Sequence, residues 1–124
     1  MDAIKVLVID DEEELTDALV ERLKIRGLAA KGVTTGREAL ECLNGSTFDV
    51  VLLDVKMPEV SGLFVLKEIK SKWKDLPVIM LTGHGSEQDA KDGMDWGAFD
   101  YLVKPLNIET LIPILKKAAG RKID

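Results

Sequence analysis

Asp10, Asp11, Asp54, Thr82 and Lys104 stand at the carboxyl ends of four apolar runs. Together they offer three carboxylates, one hydroxyl and one ammonium. Carboxylates crowded into one site repel one another and raise each other's pKa. One lysine does not balance three negative charges. A divalent cation with oxygen ligands does, and Mg²⁺ suits a site that offers few carboxylates and keeps several waters. A carboxylate beside Mg²⁺ and a lysine, at an open strand end, is arranged for phosphoryl transfer. The cation and the ammonium offset charge on the equatorial oxygens, and an aspartate oxygen attacks in line.

Taken singly, each residue has a plainer explanation. Asp10-Asp11-Glu12-Glu13-Glu14 reads as acid-rich capping, since a carboxylate at a helix N-terminus gains ~0.3–1 kcal/mol. That accounts for Glu12 to Glu14 but poorly for Asp10, which follows directly on a buried strand. Asp54 alone reads equally as a turn residue before Met57-Pro58. Thr82 alone is an ordinary strand-end residue, and Lys104 alone a solvated surface lysine. The plain readings fail together, because they leave three carboxylates at one sheet edge with nothing to offset them.

The elements that must position these groups are legible. Ile4 to Ile9, Asp49 to Leu53 and Pro77 to Leu81 are nearly continuous Val, Ile and Leu, as in strands buried on both faces of a parallel sheet. Leu28 to Val33 is weaker and reads as an edge strand, and Phe99 to Val103 is the fifth run. Helical patterns separate them. Leu15, Ala18, Leu19 and Leu23 recur at helical spacing, with Gly27 as the stop. Ala39, Leu40 and Leu43 mark a second helix before Asn44-Gly45, and Val65, Leu66, Ile69 and Trp73 a third. Glu87 to Trp96 is a poor fourth, with Gly93 inside it and Gly97 after it. Asn107 is a good N-cap for a fifth helix that carries Ile108, Leu111, Leu115 and Ala118 on one face. Pro113 falls beyond its first turn and predicts a slight kink or a late start. Five alternations with right-handed crossovers give a parallel sheet covered on both faces, with ligands expected beyond the carboxyl ends of the strands.

Composition narrows the class. With 124 residues, 46% hydrophobic and 31% charged, the chain predicts one domain over 1–124, without linker, repeat or low-complexity segment. A net charge of -5 and a pI near 4.9 argue against nucleic acid as the partner of this domain. No run reaches the roughly 20 apolar residues a membrane span needs, and no secretory signal is visible. A single cysteine, Cys42, permits no internal disulfide and no Cys-rich zinc site, and reads as a packing residue. A cytoplasmic location without membrane contact is the expectation. The tail from Gly120 to Asp124 reads as a free end or the start of a linker.

The set Asp10-Asp11, Asp54, Met57-Pro58, Gly62, Thr82 and Lys104-Pro105, in this order and each at an expected strand end, closely resembles the receiver domain of bacterial two-component response regulators. The resemblance runs from Ile4 to about Ala119. It implies a flavodoxin-like (βα)5 doubly wound α/β fold with a five-stranded parallel sheet of order 2-1-3-4-5. It also implies Asp54 as phosphoacceptor from a sensor histidine kinase or phosphotransfer protein. Asp11 and Asp54 would ligate Mg²⁺, with Mn²⁺ able to substitute. Asp10 would act largely through a metal-bound water, and the Lys56 backbone carbonyl would be a further ligand. Lys104 would pair with a phosphate oxygen, and Thr82 would move to donate to the phosphoryl group. Gly83 keeps the approach open, and Gly62 lets the loop after Asp54 turn. Lys104-Pro105 matches a step that is often cis.

By the same resemblance Tyr101 is the aromatic switch partner of Thr82. It links the site to the face of the fourth helix, fifth strand and fifth helix, where a downstream effector would read it and where phosphorylation could drive dimerisation. Trp96 is expected near that face, as partner anchor or as capping hydrophobe. Lys56 and His84 flank the path of a water attacking the phosphoryl group and are expected to set its lifetime; the plainer alternative is two solvated loop residues.

Rival functions fit less well. Haloacid-dehalogenase-like phosphatases need a second carboxylate two residues after the nucleophile, where this chain has Lys56. A binding module that has lost phosphorylation would lack part of the acid set or the lysine, and all are present. A flavin or nucleotide module would place a glycine-rich loop after the first strand, where this chain has acids. The expectation is a phosphoacceptor signalling domain that catalyses much of its own phosphorylation and dephosphorylation but no reaction on a separate metabolite.

Overall fold

Alternate residues of each inner strand feed two separate apolar layers, so the sheet is buried on both sides. In the computed structural model, which describes residues 3–57, 60–83 and 87–120, the elements alternate strictly: β1 (Lys5–Ile9), α1 (Glu13–Ile25), β2 (Ala29–Val33), α2 (Gly36–Gly45), β3 (Val50–Asp54), α3 (Gly62–Lys72), β4 (Val78–Thr82), α4 (Glu87–Asp95), β5 (Asp100–Val103) and α5 (Ile108–Ala118). All strand pairs are parallel, in the order β2-β1-β3-β4-β5. The weak second run is indeed at an edge.

Leu7, Ile9, Val51, Leu53, Val78 and Met80 point to the layer filled by α2 and α3 with Leu43, Val65, Leu66 and Ile69. Val6, Val8, Val50, Leu52, Ile79 and Leu81 point to the opposite layer, filled by Leu23 of α1 and Leu111, Ile112 and Leu115 of α5. This is the period-2 reading of a strand carried through neighbouring strands. The pattern predicted a parallel sheet covered on both faces, and the observed strand order is the flavodoxin-like one that the receiver resemblance implied.

Two glycines explain themselves by backbone conformation. Gly27 (φ 87°) follows α1 and Gly97 (φ 100°) follows α4, both in the left-handed region that side chains avoid. Gly93, awkward inside a helix, lets α4 approach the sheet: a Cβ there would sit 3.3 Å from Met80 Cγ.

Of the slight kink or late start expected from Pro113, the late start does not occur. Asn107 Oδ1 accepts from Glu109 N at 2.8 Å, and α5 begins at once with Ile108. Pro113 withdraws one helical hydrogen bond at a cost of about 3 kcal/mol. Burial of Leu111, Ile112 and Leu115 contributes about 1.5–3 kcal/mol each, so packing outweighs the proline.

Candidate metal and phosphoacceptor site

β1 lies between β2 and β3, and the chain leaves β1 and β3 on opposite faces of the sheet, so a crevice forms at their carboxyl ends. Asp10 follows β1 and Asp54 closes β3, and both are buried, at 4% and 6% exposure. Asp11 is the next residue, more open to solvent. Carboxylate oxygens of Asp10, Asp11 and Asp54 lie within 4.8 Å of one another. Lys104, just past β5, places Nζ 2.9 Å from Asp10 Oδ2 and 3.7 Å from Asp54 Oδ1. Four of the five expected groups therefore meet at one point. Thr82, the last residue of β4 and 3% exposed, completes the edge; its Oγ1 donates to the Leu102 carbonyl at 3.5 Å, the outer limit of a hydrogen bond.

The electrostatics follow from burial. Asp54 is pushed up from its ordinary 3.8 to about 7, first by desolvation and then by the charge of Asp10. Lys104 and the Lys56 amide, which donates to Asp54 Oδ1 at 3.3 Å, only partly offset this. Burial pulls the Lys104 ammonium down, but the Asp10 hydrogen bond and the charges of Asp54, Asp10 and Glu12 leave it raised. A single ammonium thus fails to neutralise the cluster. That shortfall, with three oxygen donors within reach of one ion, fits a hard divalent cation such as Mg²⁺.

The loops are held by short-range geometry. Asp10 N donates to Val33 O, and Asp10 Oδ1 accepts from Glu12 N at 3.1 Å, turning the chain into α1. A Cβ on Gly62 would come within 2.2 Å of the Asp54 carbonyl oxygen and 2.7 Å of Val55 Cα, so close approach requires this glycine. Gly83 faces open space, with nothing within 4 Å of an added Cβ. A cleft of about 530 Å³ runs from Asp10, Gly83 and Lys104 down between α1 and α5. The Lys104-Pro105 peptide is cis.

The other expected positions are more scattered. Tyr101 is exposed on β5, and Lys56 is exposed beside Asp54. Trp96 is half-exposed just past α4, and Lys67 of α3 places Nζ 3.7 Å from its ring centroid, in cation–π range. Cys42 is half-buried against the α2–α3 layer. Pro58, His84 and the tail beyond Gly120 lie outside the described residues. Thr16 was missed by sequence reasoning. It is buried at 2% exposure and donates to the Asp10 and Glu12 carbonyls. A threonine four residues after a loop carbonyl was the available signal.

Residues 6–116 match the family model of the response regulator receiver domain. The chain belongs to this family. Among curated relatives, a CpxR homolog described as a transcriptional regulatory protein in Haemophilus influenzae is 43% identical over 94% of this chain and 51% of its own length. The response regulator MprA of Mycolicibacterium vanbaalenii is 37% identical over 95% of this chain and 51% of its own. The transcriptional regulatory protein ZraR of Escherichia coli is 38% identical over 94% of this chain and 26% of its own. The receiver thus spans about a quarter to a half of such relatives. A receiver domain crystal structure from Clostridium thermocellum superposes with a TM-score of 0.89 at 37% identity, covering 94% of each chain. The response regulator TrrA of Thermotoga maritima, solved with Mg²⁺-BeF, gives 0.82 at 35% identity, covering 93% of this chain and 98% of its own. Receiver domains are signalling domains, not enzymes of metabolism. Among the described residues no helix is long and apolar enough to cross a membrane.

Proposed function

We propose that this receiver, acting as one domain over 1–124, accepts a phosphoryl group on Asp54. The observation that carries the reading is the buried Asp54 carboxylate held beside Asp10, Asp11 and Lys104 at the open end of the sheet. An Asp54 oxygen attacks phosphorus, and the bond from phosphorus to the donor breaks. Its electron pair returns to the imidazole nitrogen of a kinase phosphohistidine, or to the acyl oxygen of a small phosphodonor. Asp11, Asp54 and the Lys56 carbonyl would hold Mg²⁺, with Asp10 acting through its water; the ion would supply positive charge against the phosphoryl oxygens. The Mg²⁺-BeF complex of TrrA supports that choice.

Lys104 has two carboxylate partners in this state and would exchange its longer contact, to Asp54, for a phosphoryl oxygen. Thr82 gives up little when it turns, because its present bond is 3.5 Å long. Its departure would free the space that Tyr101 enters, shifting the population of the α4–β5–α5 face. By the family resemblance, the positions of Lys56 and His84 would flank the path of attacking water, and these two residues would set the phosphoryl lifetime. The partners would be a sensor kinase or phosphotransfer protein upstream and an effector downstream, in a cytoplasmic setting. That relatives named transcriptional regulatory proteins extend well beyond the receiver supports an effector.

Intact-protein mass after incubation with Mg²⁺ and acetyl phosphate tests the reading. A gain of one phosphoryl group that needs Mg²⁺ and is lost in Asp54→Ala is the expected result. No gain under conditions that label a known receiver would leave a pure interaction module.

A further inference from the structure

We infer that Thr16 is a positioning residue for the acidic loop: its hydroxyl, through the Asp10 carbonyl, aims the Asp11 carboxylate at the metal position. The inference rests on Asp11 and Asp54 holding Mg²⁺ as proposed above.

Asp11 needs outside help to be aimed. Its carboxylate makes no hydrogen bond or ion pair with the described residues, whereas Asp10 is held by Lys104 through one oxygen and by the Glu12 amide through the other. What orients Asp11 is therefore the peptide that precedes it, the plane bearing the Asp10 carbonyl. That plane is fixed from one side by Thr16, whose Oγ1 lies 3.0 Å from Asp10 O and 2.9 Å from Glu12 O. A hydroxyl has one hydrogen, so the two carbonyls share it. The Glu12 carbonyl also accepts the Thr16 amide at 2.9 Å in the ordinary helical way. The Asp10 carbonyl has no other donor among the described residues, so Thr16 is its anchor.

The rotamer of Thr16 is itself locked. Its γ-methyl fits against β2 where Gly32 has no side chain: a Cβ on Gly32 would come within 2.4 Å of Thr16 Cγ2. The β-branched side chain can satisfy both surfaces in only one χ1 well, with methyl to β2 and hydroxyl to the loop. A strand at the sheet edge thereby fixes a peptide in the site. Groups behind the ligands commonly set metal affinity in this manner.

Three substitutions separate the hydroxyl from the methyl. Thr16→Val keeps the methyl and loses the hydroxyl, Thr16→Ser does the reverse, and Thr16→Ala loses both. Mg²⁺ affinity, read by calorimetric titration of the ion alone, should follow the hydroxyl. The Val and Ala variants should bind about tenfold more weakly, and Ser should bind close to wild type. Melting temperature, read in parallel, should fall for Ser and Ala through the lost methyl. If the Val variant fails to fold, Ser against Ala still differs only in the hydroxyl. Equal affinity across all four proteins would overturn the role of Thr16 and leave the metal site standing. Weak binding by Ser equal to that of Ala would move the effect to the methyl in its Gly32 seat and also overturn the inference. No binding by wild type, or binding that survives Asp11→Asn, would overturn the underlying metal reading and this inference with it.

Discussion

Gly62 packs against the backbone of Asp54 so closely that a Cβ would lie 2.2 Å from the Asp54 carbonyl oxygen. The first residue of α3 thus buttresses the end of β3, and the Gly62 amide donates to Val55 O at 2.8 Å. Backbone cannot yield as a flexible side chain can. Gly62→Ala should cost about 1–3 kcal/mol in urea unfolding, as overpacking does. It should also slow phosphorylation from acetyl phosphate, because the movement needed to relieve the clash displaces Asp54.

The raised pKa of Asp54 has a sign that can be measured. In the native state, without metal, the group holds its proton up to about 7, whereas its ordinary value is 3.8. Between those values the folded protein binds more protons than the unfolded chain. Its contribution to stability is therefore full in acid and is lost as pH rises through that window, at a slope of about 1.4 kcal/mol for each pH step of one. Urea midpoints in EDTA should fall between pH 5 and pH 8 more steeply in wild type than in Asp54→Asn. Parallel profiles in the two proteins would contradict the raised value. Saturating Mg²⁺ should flatten the wild-type profile by stabilising the carboxylate.

Lys104 is the cation that both Asp10 and Asp54 face. Lys104→Met keeps the aliphatic stem and removes the charge. Metal-free stability at pH 8 should drop by about 1.5–3 kcal/mol, the range for a hydrogen bond to a charged group. Mg²⁺ should recover part of the loss, since it meets the same unbalanced charge. A variant as stable as wild type in EDTA would show the ion pair to be energetically empty.

Trp96 and Lys67 tie α4 to α3 across the face that carries Phe64. A double-mutant cycle with Lys67→Met and Trp96→Leu should give a coupling of about 0.5–1 kcal/mol. In a Trp73→Phe background, Lys67→Met should also change the Trp96 emission. A coupling near zero would mean that the stacking does not hold the end of α4.

Much of this molecule could be read from residue order alone, for a local reason. A strand buried on both faces must be apolar throughout, so the first polar residue after it marks a carboxyl end. Asp10, Asp54 and Thr82 announced themselves this way, and helix alternation dictated that those ends share one edge. Gly27 and Asn107 were legible because capping involves only neighbours in the chain. Contacts between residues far apart were not. Lys104 was expected beside a phosphate, but only the packed sheet shows it bridging Asp10 and Asp54, 94 and 50 residues away. Trp96 reads in sequence as a partner anchor or a capping hydrophobe, and only the packed fold shows Lys67 against its ring. Pro113 predicted a slight kink or a delayed start because propensity is local, and the delay does not occur because burial of Leu111, Ile112 and Leu115 outweighs it. Thr16 and Gly32 look ordinary in sequence, since their meaning lies in one methyl filling one missing side chain. The chemistry of the site was written in residue types at strand ends; its pKa, its close approaches and its anchoring came from tertiary burial, which no spacing encodes.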